Sequence, residues 1–484
     1  MKPMNVIFIM SDQHQGKASG CYGHGFVQTP NIDKLAASGT RFSSSYTDSA
    51  ICVPARAAIA TGKYVHQTEY WDNGHPYEGR IKAWHHMLKE NGASATSIGK
   101  LHFRNETDNT GFENQVIPMH VVEGKGDARS CIKRPMTPPM TQSKTMTDIG
   151  AGQTSYQHYD NKIADNACEW LRVKAADPNT DPFCAFISFV CPHPPYKAPQ
   201  KFYDFYNKID MPIPKLRDPD SEYHPWIKLS QSMRNYDDFV TDETLPMLMK
   251  SYYGCISYLD MNIGRVISTL EETGLRDNTI IIYTSDHGEN LGTRRLWQKS
   301  NMYEEASFIP MILSGPGVPA GKVIDTPVTL VDIAPTILDA QGLEEVSKSH
   351  KLPGTSLLKL VQEKHKTNRF AFTEYHAAAA DRSVFMIRKG KYKYIHYVSF
   401  HPELFDLEED PDELGSLHEH PNYLSTLAEL EADLRSICNP EEIDERAYLS
   451  QCAKVEAAGG RAAVMARGKY QGTPVPGQNA EYLT

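Results

Sequence analysis

Two short runs, far apart in the chain, end in the same way. Asn5-Val6-Ile7-Phe8-Ile9-Met10 leads into Ser11-Asp12, and Thr279-Ile280-Ile281-Ile282-Tyr283-Thr284 leads into Ser285-Asp286. Short apolar runs without a polar alternation read as strands buried on both faces, which belong to the interior of a mostly parallel sheet. In open sheets of that kind, functional groups gather beyond the carboxyl ends of the strands. Both aspartates fall at that point. Residues 183–190 and 95–98 read as further strands of the same sheet.

Between the strands lie helical segments with clear punctuation. Residues 30–38 follow Thr29 and stop at Gly39, and residues 54–61 stop at Gly62. Two longer helices are expected at 161–175, with Asp160 as N-cap, and at 248–273, closed by Gly274. Residues 135–141 and 212–224 are proline-rich loops. From about residue 370 the pattern changes to antiparallel alternation over 370–375, 383–388 and 393–397, with Lys389-Gly390 as a tight turn and a helix at 423–437. The expected class is α/β: a large, mostly parallel sheet sandwiched by helices, plus a small C-terminal α+β subdomain. A chain of 484 residues suits that division, with a catalytic domain over 1–365, the subdomain over 366–452 and an extended tail over 453–484.

Charge and cysteine usage narrow the setting. A formal net charge of −10 argues against a nucleic-acid partner, so an anionic ligand would have to be met by locally clustered cations. The first apolar run is too short for a membrane span and lacks a small-residue cleavage site, so no membrane association is expected. Nine scattered cysteines without regular spacing fit a reducing compartment, and the expected location is cytoplasmic.

Cys52-Val53-Pro54-Ala55-Arg56 carries the most specific chemistry. Cysteine followed by proline two places on and arginine four places on is the recognition pattern for oxidation of that cysteine to formylglycine, an aldehyde. Its hydrate holds two hydroxyls on one carbon; one can attack a sulfate ester, and the other can later expel the bound sulfate. The plainer alternative is a helix N-terminus with Pro54 in its first turn. Asp12-Gln13 and Asp286-His287 each follow a strand directly. Two carboxylates, an amide oxygen and one imidazole can hold one divalent cation. A mostly oxygen donor set favours Ca²⁺, Mg²⁺ or Mn²⁺ over zinc, and the single histidine keeps Mn²⁺ in play; Ca²⁺ is expected first and Mn²⁺ second. Either pair alone would also serve as a strand-end cap.

The chain resembles the sulfatases of the alkaline-phosphatase superfamily from Asn5 to about Leu417. The resemblance rests on Met10-Ser11-Asp12-Gln13, Thr29-Pro30-Asn31-Ile32-Asp33, the stretch 52–62, Gly99-Lys100-Leu101-His102-Phe103, Pro192-His193-Pro194-Pro195-Tyr196, Ser285-Asp286-His287-Gly288 and Glu403-Leu404-Phe405-Asp406-Leu407. It implies metal ligation by Asp12, Gln13, Asp286 and His287 with the formylglycine, and a sulfate or its reacting groups surrounded by Arg56, Lys100, His102, His193 and Lys299. His193 would then be the acid for the leaving alcohol. Asn73, in Trp71-Asp72-Asn73, is a substrate-contact candidate, and Glu374 with His376 is expected at the pocket mouth. His14, His24, His66 and His75 fall in early loops and carry no assignment.

The implied reaction is hydrolysis of a sulfate monoester, and the partner it requires is a formylglycine-generating maturation enzyme. Phosphonate monoester or phosphodiester hydrolysis at the same site is the alternative, and a non-catalytic binder of sulfated ligands is the alternative from another class. The nearest branch is that of choline sulfatases and phosphonate monoester hydrolases. Choline needs an aromatic cage, yet residues 104–159 contain no tryptophan. The resemblance also implies a homo-oligomer, in which the tail would cross to a neighbouring subunit; isolated disorder is the alternative.

Overall fold

A computed structural model describes residues 2–177, 181–218, 220–363, 368–470 and 472–483. Its centre is an eight-stranded sheet formed by β1 (Asn5–Asp12), β2 (Thr40–Phe42), β3 (Ser94–Lys100), β4 (Asn114–Met119), β5 (Phe183–Pro192), β6 (Thr279–Ser285), β7 (Met311–Ser314) and β8 (Lys322–Ile324). The spatial order is β8-β2-β7-β6-β1-β5-β3-β4. β7 runs antiparallel to both of its neighbours, and the other pairings are parallel.

β1 lies at the middle of this sheet, and its two faces explain its unbroken apolar run. Val6, Phe8 and Met10 pack in one layer with Ile59, Ile337 and Leu338, while Ile7 and Ile9 pack in the other with Ile163, Leu171 and Ile263. Each such side chain contributes about 1.5–3 kcal/mol on burial. β1 pairs directly with β6, with Ser11 opposite Ser285. The two aspartates therefore emerge side by side at the same edge.

The helix expected from residue 54 begins two residues earlier, at Cys52, and runs to Thr61 with every residue buried. The helix expected at 161–175 spans Ser155–Ala176 and is capped by Thr154, which accepts from Gln157 N while Gln157 reaches back. Asp160 is therefore not an N-cap. It lies inside the helix and accepts from the backbone N–H groups of Val190 and Cys191 at the end of β5, at 2.7 and 2.8 Å.

A four-stranded antiparallel sheet spans Phe370–Tyr375, Val384–Lys389, Tyr392–Tyr397 and Glu403–Asp406. One face packs against Tyr46, Ile51 and Phe308, and the other against Leu430, Leu434 and Ile443 of the helices that follow. The boundary expected at 365 lies outside the described residues. The tail expected to be extended from 453 is partly helical: Pro440–Ala457 runs past that point and Gly460–Ala466 follows, with Val464 packed on Ile132 and Val455. Residues 472 and 473 then return to this chain's own pocket, where Tyr156 Oη donates to the Thr473 carbonyl at 2.7 Å. Among the described residues, no helix is long and apolar enough to cross a membrane.

Candidate active site

The ends of β1 and β6 and the start of the Cys52–Thr61 helix meet at one point. Asp12, Cys52, Asp286 and His287 are all buried there, with ligand atoms within 4.8 Å of one another. Cys52 Sγ lies 3.0 Å from His287 Nε2 and 3.6 Å from Asp12 Oδ1. Arg56, one turn further along the helix, bridges both carboxylates: Nη2 to Asp12 Oδ2 at 3.2 Å and Nε to Asp286 Oδ2 at 2.9 Å. Its Nη1 donates to the Lys100 carbonyl and to Ser188 Oγ.

Lys100 reaches Asp12 Oδ2 at 2.5 Å because of a local break in β3. The β3–β4 register shifts between Ile98 and Lys100. Gly99 sits there at φ +101°, where a Cβ would meet the Ser188 carbonyl oxygen at 2.4 Å, so only glycine fits. On the other side, Lys299 Nζ donates to Gln13 Oε1 at 2.5 Å. The Gln13 carboxamide is fixed by Glu289, which accepts from its Nε2 and from Tyr196 Oη. Gln13 thus meets Lys299 through its oxygen. Glu289 carried no signal in the sequence beyond its place two residues after His287.

The donor set fits a divalent cation. His287 Nδ1 donates to the Gly288 carbonyl at 3.1 Å, which leaves Nε2 with its lone pair. That lone pair faces Asp12 Oδ1 at 3.8 Å and Asp286 Oδ1 at 3.7 Å, all without solvent exposure. Burial and the Lys299 charge hold this imidazole neutral, well below the usual histidine range. A lone pair set against two carboxylate oxygens is repulsive until a cation lies between them. For Asp12, burial opposes ionisation, but the Lys100 and Arg56 charges outweigh it and hold the carboxyl well below its ordinary range. Burial and the Asp12 charge push Asp286 the other way.

A pocket opens above this cluster and is lined by Cys52, Lys100, His102, His193, Lys299 and Asn73. Both ring nitrogens of His102 are buried and, among the described residues, without a hydrogen-bond partner. Burial, with Lys100 and Arg56, keeps that ring neutral. His193 Nδ1 donates to the Pro194 carbonyl at 2.8 Å, leaving Nε2 as the nitrogen free for a ligand. Asn73 Oδ1 accepts from Val53 N at 3.3 Å, near the N-terminus of the Cys52–Thr61 helix.

Glu374 is not at the pocket mouth. It is fully buried and clamped between two histidines, its Oε1 accepting from His66 Nδ1 and its Oε2 paired with His376 Nε2, both at 2.9 Å. Strand alternation told which residues share a face, but the inward face here meets the Val65–Thr68 helix rather than the pocket. The remaining early histidines are also occupied elsewhere: His14 bonds Tyr283 Oη at 2.6 Å, His75 pairs with Asp72 at 2.8 Å, and His24 packs edge-on against Phe26.

The clamp makes a stability prediction. Burial alone would raise the Glu374 pKa, but the His66 charge and the hydrogen bonds from His376 and His66 bring it down to about 2 from an ordinary 4.5. The folded pKa is depressed, so the stabilisation is present above pH 4.5 and is lost as pH falls towards 2. At 1.36 kcal/mol per unit this is roughly 3 kcal/mol. Despite burial, His66 is raised by the same pair, so its share is present at low pH and lost as pH rises through the raised value. Glu374→Gln should lower Tm at neutral pH and flatten the acid limb of the stability curve between pH 4.5 and 2. An unchanged acid limb in thermal scans would contradict the clamp.

Comparison with known proteins follows the same lines. The family model described as Sulfatase matches residues 4–343, and one described as N-sulphoglucosamine sulphohydrolase, C-terminal, matches residues 292–439. The chain is 33% identical over 431 residues to a choline-sulfatase of Rhizobium meliloti (strain 1021), covering 86% of this chain and 83% of that protein. It is 30% identical over 459 residues to arylsulfatase K of Bos taurus, covering 90% and 82%. Among solved structures, a phosphonate monoester hydrolase of Agrobacterium radiobacter superposes with a TM-score of 0.71 at 23% identity, covering 90% of this chain and 95% of that one. That likeness shows the fold, which is alkaline-phosphatase-like.

Proposed function

The chain belongs to the sulfatase family, and we propose that it hydrolyses sulfate monoesters to sulfate and an alcohol or phenol, with Cys52 acting as formylglycine beside one divalent cation. The observation that carries this reading is the buried cluster of Asp12, Cys52, Asp286 and His287 at the floor of a cation-lined pocket. When both groups are in place, the oxidised Cys52 supplies the attacking hydroxyl and the cation stabilises its charge.

The chain's own residues do the rest. Asp12, Asp286 and His287 would hold the cation, with the Gln13 amide oxygen beside them, and this oxygen-rich set suits Ca²⁺ first and Mn²⁺ second. Lys100 and Lys299, both buried, present fixed positive charge to sulfate oxygens that gather charge as the S–O bond breaks. The unpartnered nitrogens of His102 suit an ester oxygen, since a substrate would satisfy a buried group that is otherwise unpaired. His193 is held neutral in the free site by burial and Lys299. An anionic ester beside it favours protonation at Nε2, which would then give that proton to the leaving alcohol. Asn73 steadies the helix that carries Cys52.

This reading takes a formylglycine-generating enzyme as the maturation partner; the cytoplasmic setting and the homo-oligomer rest on the sequence. A second reading, phosphonate monoester or phosphodiester hydrolysis, follows from the same cation-lined pocket, which suits any tetrahedral anionic ester. Steady-state rates on a sulfate and a phosphonate ester of one phenol separate the two. The sulfate should be favoured in kcat/KM by about tenfold or more, or about 1.4 kcal/mol; the reverse ratio would replace the first reading by the second.

A further inference from the structure

Beyond Lys100 and Lys299, two arginines line the pocket: Arg129 and Arg234, both half-buried. Among the described residues, the Arg234 side chain has a hydroxyl as its partner and Arg129 engages through its backbone N–H. Lys100 differs, since its Nζ pairs with the Asp12 carboxylate at 2.5 Å, whereas Lys299 donates to the neutral Gln13 Oε1. Arg129 leaves from the short turn Ala128–Cys131, whose cap Asp127 accepts from the Arg129 backbone N–H at 3.0 Å and so fixes the point of departure. Arg234 closes the helix Pro225–Met233, and its Nη1 donates to Ser300 Oγ, next to Lys299.

A guanidinium has five N–H donors in a rigid fork. Here one hydrogen bond from Arg234 and none from Arg129 uses them within the described chain. Half-buried cations with spare donors, aimed at the same pocket as the reacting groups, call for an anion, and arginine binds carboxylate and sulfate-like oxygens in pairs. Among the described residues, Asp127 is the one carboxylate of the lining, and one of its oxygens accepts from the Arg129 backbone N–H. A quaternary ammonium would need aromatic faces instead. The lining offers Tyr156 and Tyr236 and no tryptophan, and the Tyr156 hydroxyl is tied to Thr473.

We propose that Arg129 and Arg234 form a second anion subsite, and that the substrate is a sulfate ester whose alcohol portion carries a further carboxylate or sulfate. This rests on the sulfate-ester reading. The subsite holds the remote anion while the reacting sulfate meets Lys100 and Lys299.

The test compares four aryl sulfates on one phenol skeleton, bearing a carboxylate, a second sulfate, a neutral carboxamide or a trimethylammonium group. The fully oxidised protein should prefer an anionic ester over the neutral one by about tenfold or more in kcat/KM, with the ammonium ester poorest. In Arg129→Gln and Arg234→Gln the anionic-to-neutral ratio should fall about tenfold, chiefly through KM, because uniform binding is lost. Dividing by the wild-type ratio cancels leaving-group reactivity. Arg129→Lys and Arg234→Lys should recover part of the preference, which separates charge from folding. The carboxylate and disulfate arms tell which anion the subsite takes. A ratio that survives both substitutions, a preference for the ammonium ester, or an equal loss for all four esters would overturn the subsite. No turnover of any ester by oxidised protein would instead remove the sulfate-ester reading beneath it.

Discussion

Cys52→Ala should lower turnover of any sulfate ester by about 10⁴-fold or more, with the fold intact. The side chain is small and 2% exposed, so the cavity left by one sulfur atom is minor. Its position is not replaceable: the first residue of a buried helix, 3.0 Å from His287 Nε2 and facing Asp12. Burial and the Asp12 charge push the unoxidised thiol up to about 12. It therefore stays protonated at neutral pH and is a poor nucleophile as it stands. Activity should track the fraction of chains oxidised at residue 52, measured by peptide mass spectrometry. Full activity in protein whose Cys52 is an intact thiol would end the formylglycine reading.

Removing the divalent cation should have an effect of similar size. Chelation is expected to take turnover to background, and Ca²⁺ or Mn²⁺ should restore it. Asp286→Asn should lower kcat/KM by about 10³-fold. It removes one of two charges facing His287 Nε2 and one of the two carboxylates that Arg56 bridges. Leaving a buried guanidinium short of a partner costs about 3 kcal/mol, so Tm should fall as well. Elemental analysis should find one cation per chain in active protein. Active protein with none, or with two, would contradict the single site built from Asp12, Asp286 and His287.

The centre of the fold and most of the site were legible because both are written locally. A strand buried on two faces has to be apolar, and the abrupt change to Ser-Asp marks its carboxyl end; β1 and β6 pair with Ser11 opposite Ser285, as their shared ending implies. The misreadings lie where a distant partner decides. Asp160 looks like a cap, but two N–H groups at the end of β5 claim it. Glu374 sits on a readable strand, yet alternation does not say what lies opposite. Residues 460–466 lack apolar periodicity because Val464 and the adjacent Met465 supply their apolar packing, and alanine supplies the helix propensity. Arg129 and Arg234 belong to no pattern at all. Lone arginines in loops become meaningful only when folding leaves them on one pocket wall with donors to spare.

If Cys52 is oxidised to formylglycine as proposed, the complete burial of the Cys52–Thr61 helix sets the timing of that step. All five residues of the oxidation pattern, Cys52 through Arg56, lie inside that helix, and Arg56 is locked to carboxylates on β1 and on the end of β6. No enzyme can read that pattern in the finished molecule. The pattern stays accessible only until the chain has been made at least as far as β6, which follows more than 200 residues later, and has closed over it. The proposed oxidation would therefore race synthesis and collapse. Slower elongation, or a larger supply of the maturation enzyme, should raise the active fraction. Treating the folded protein afterwards should not.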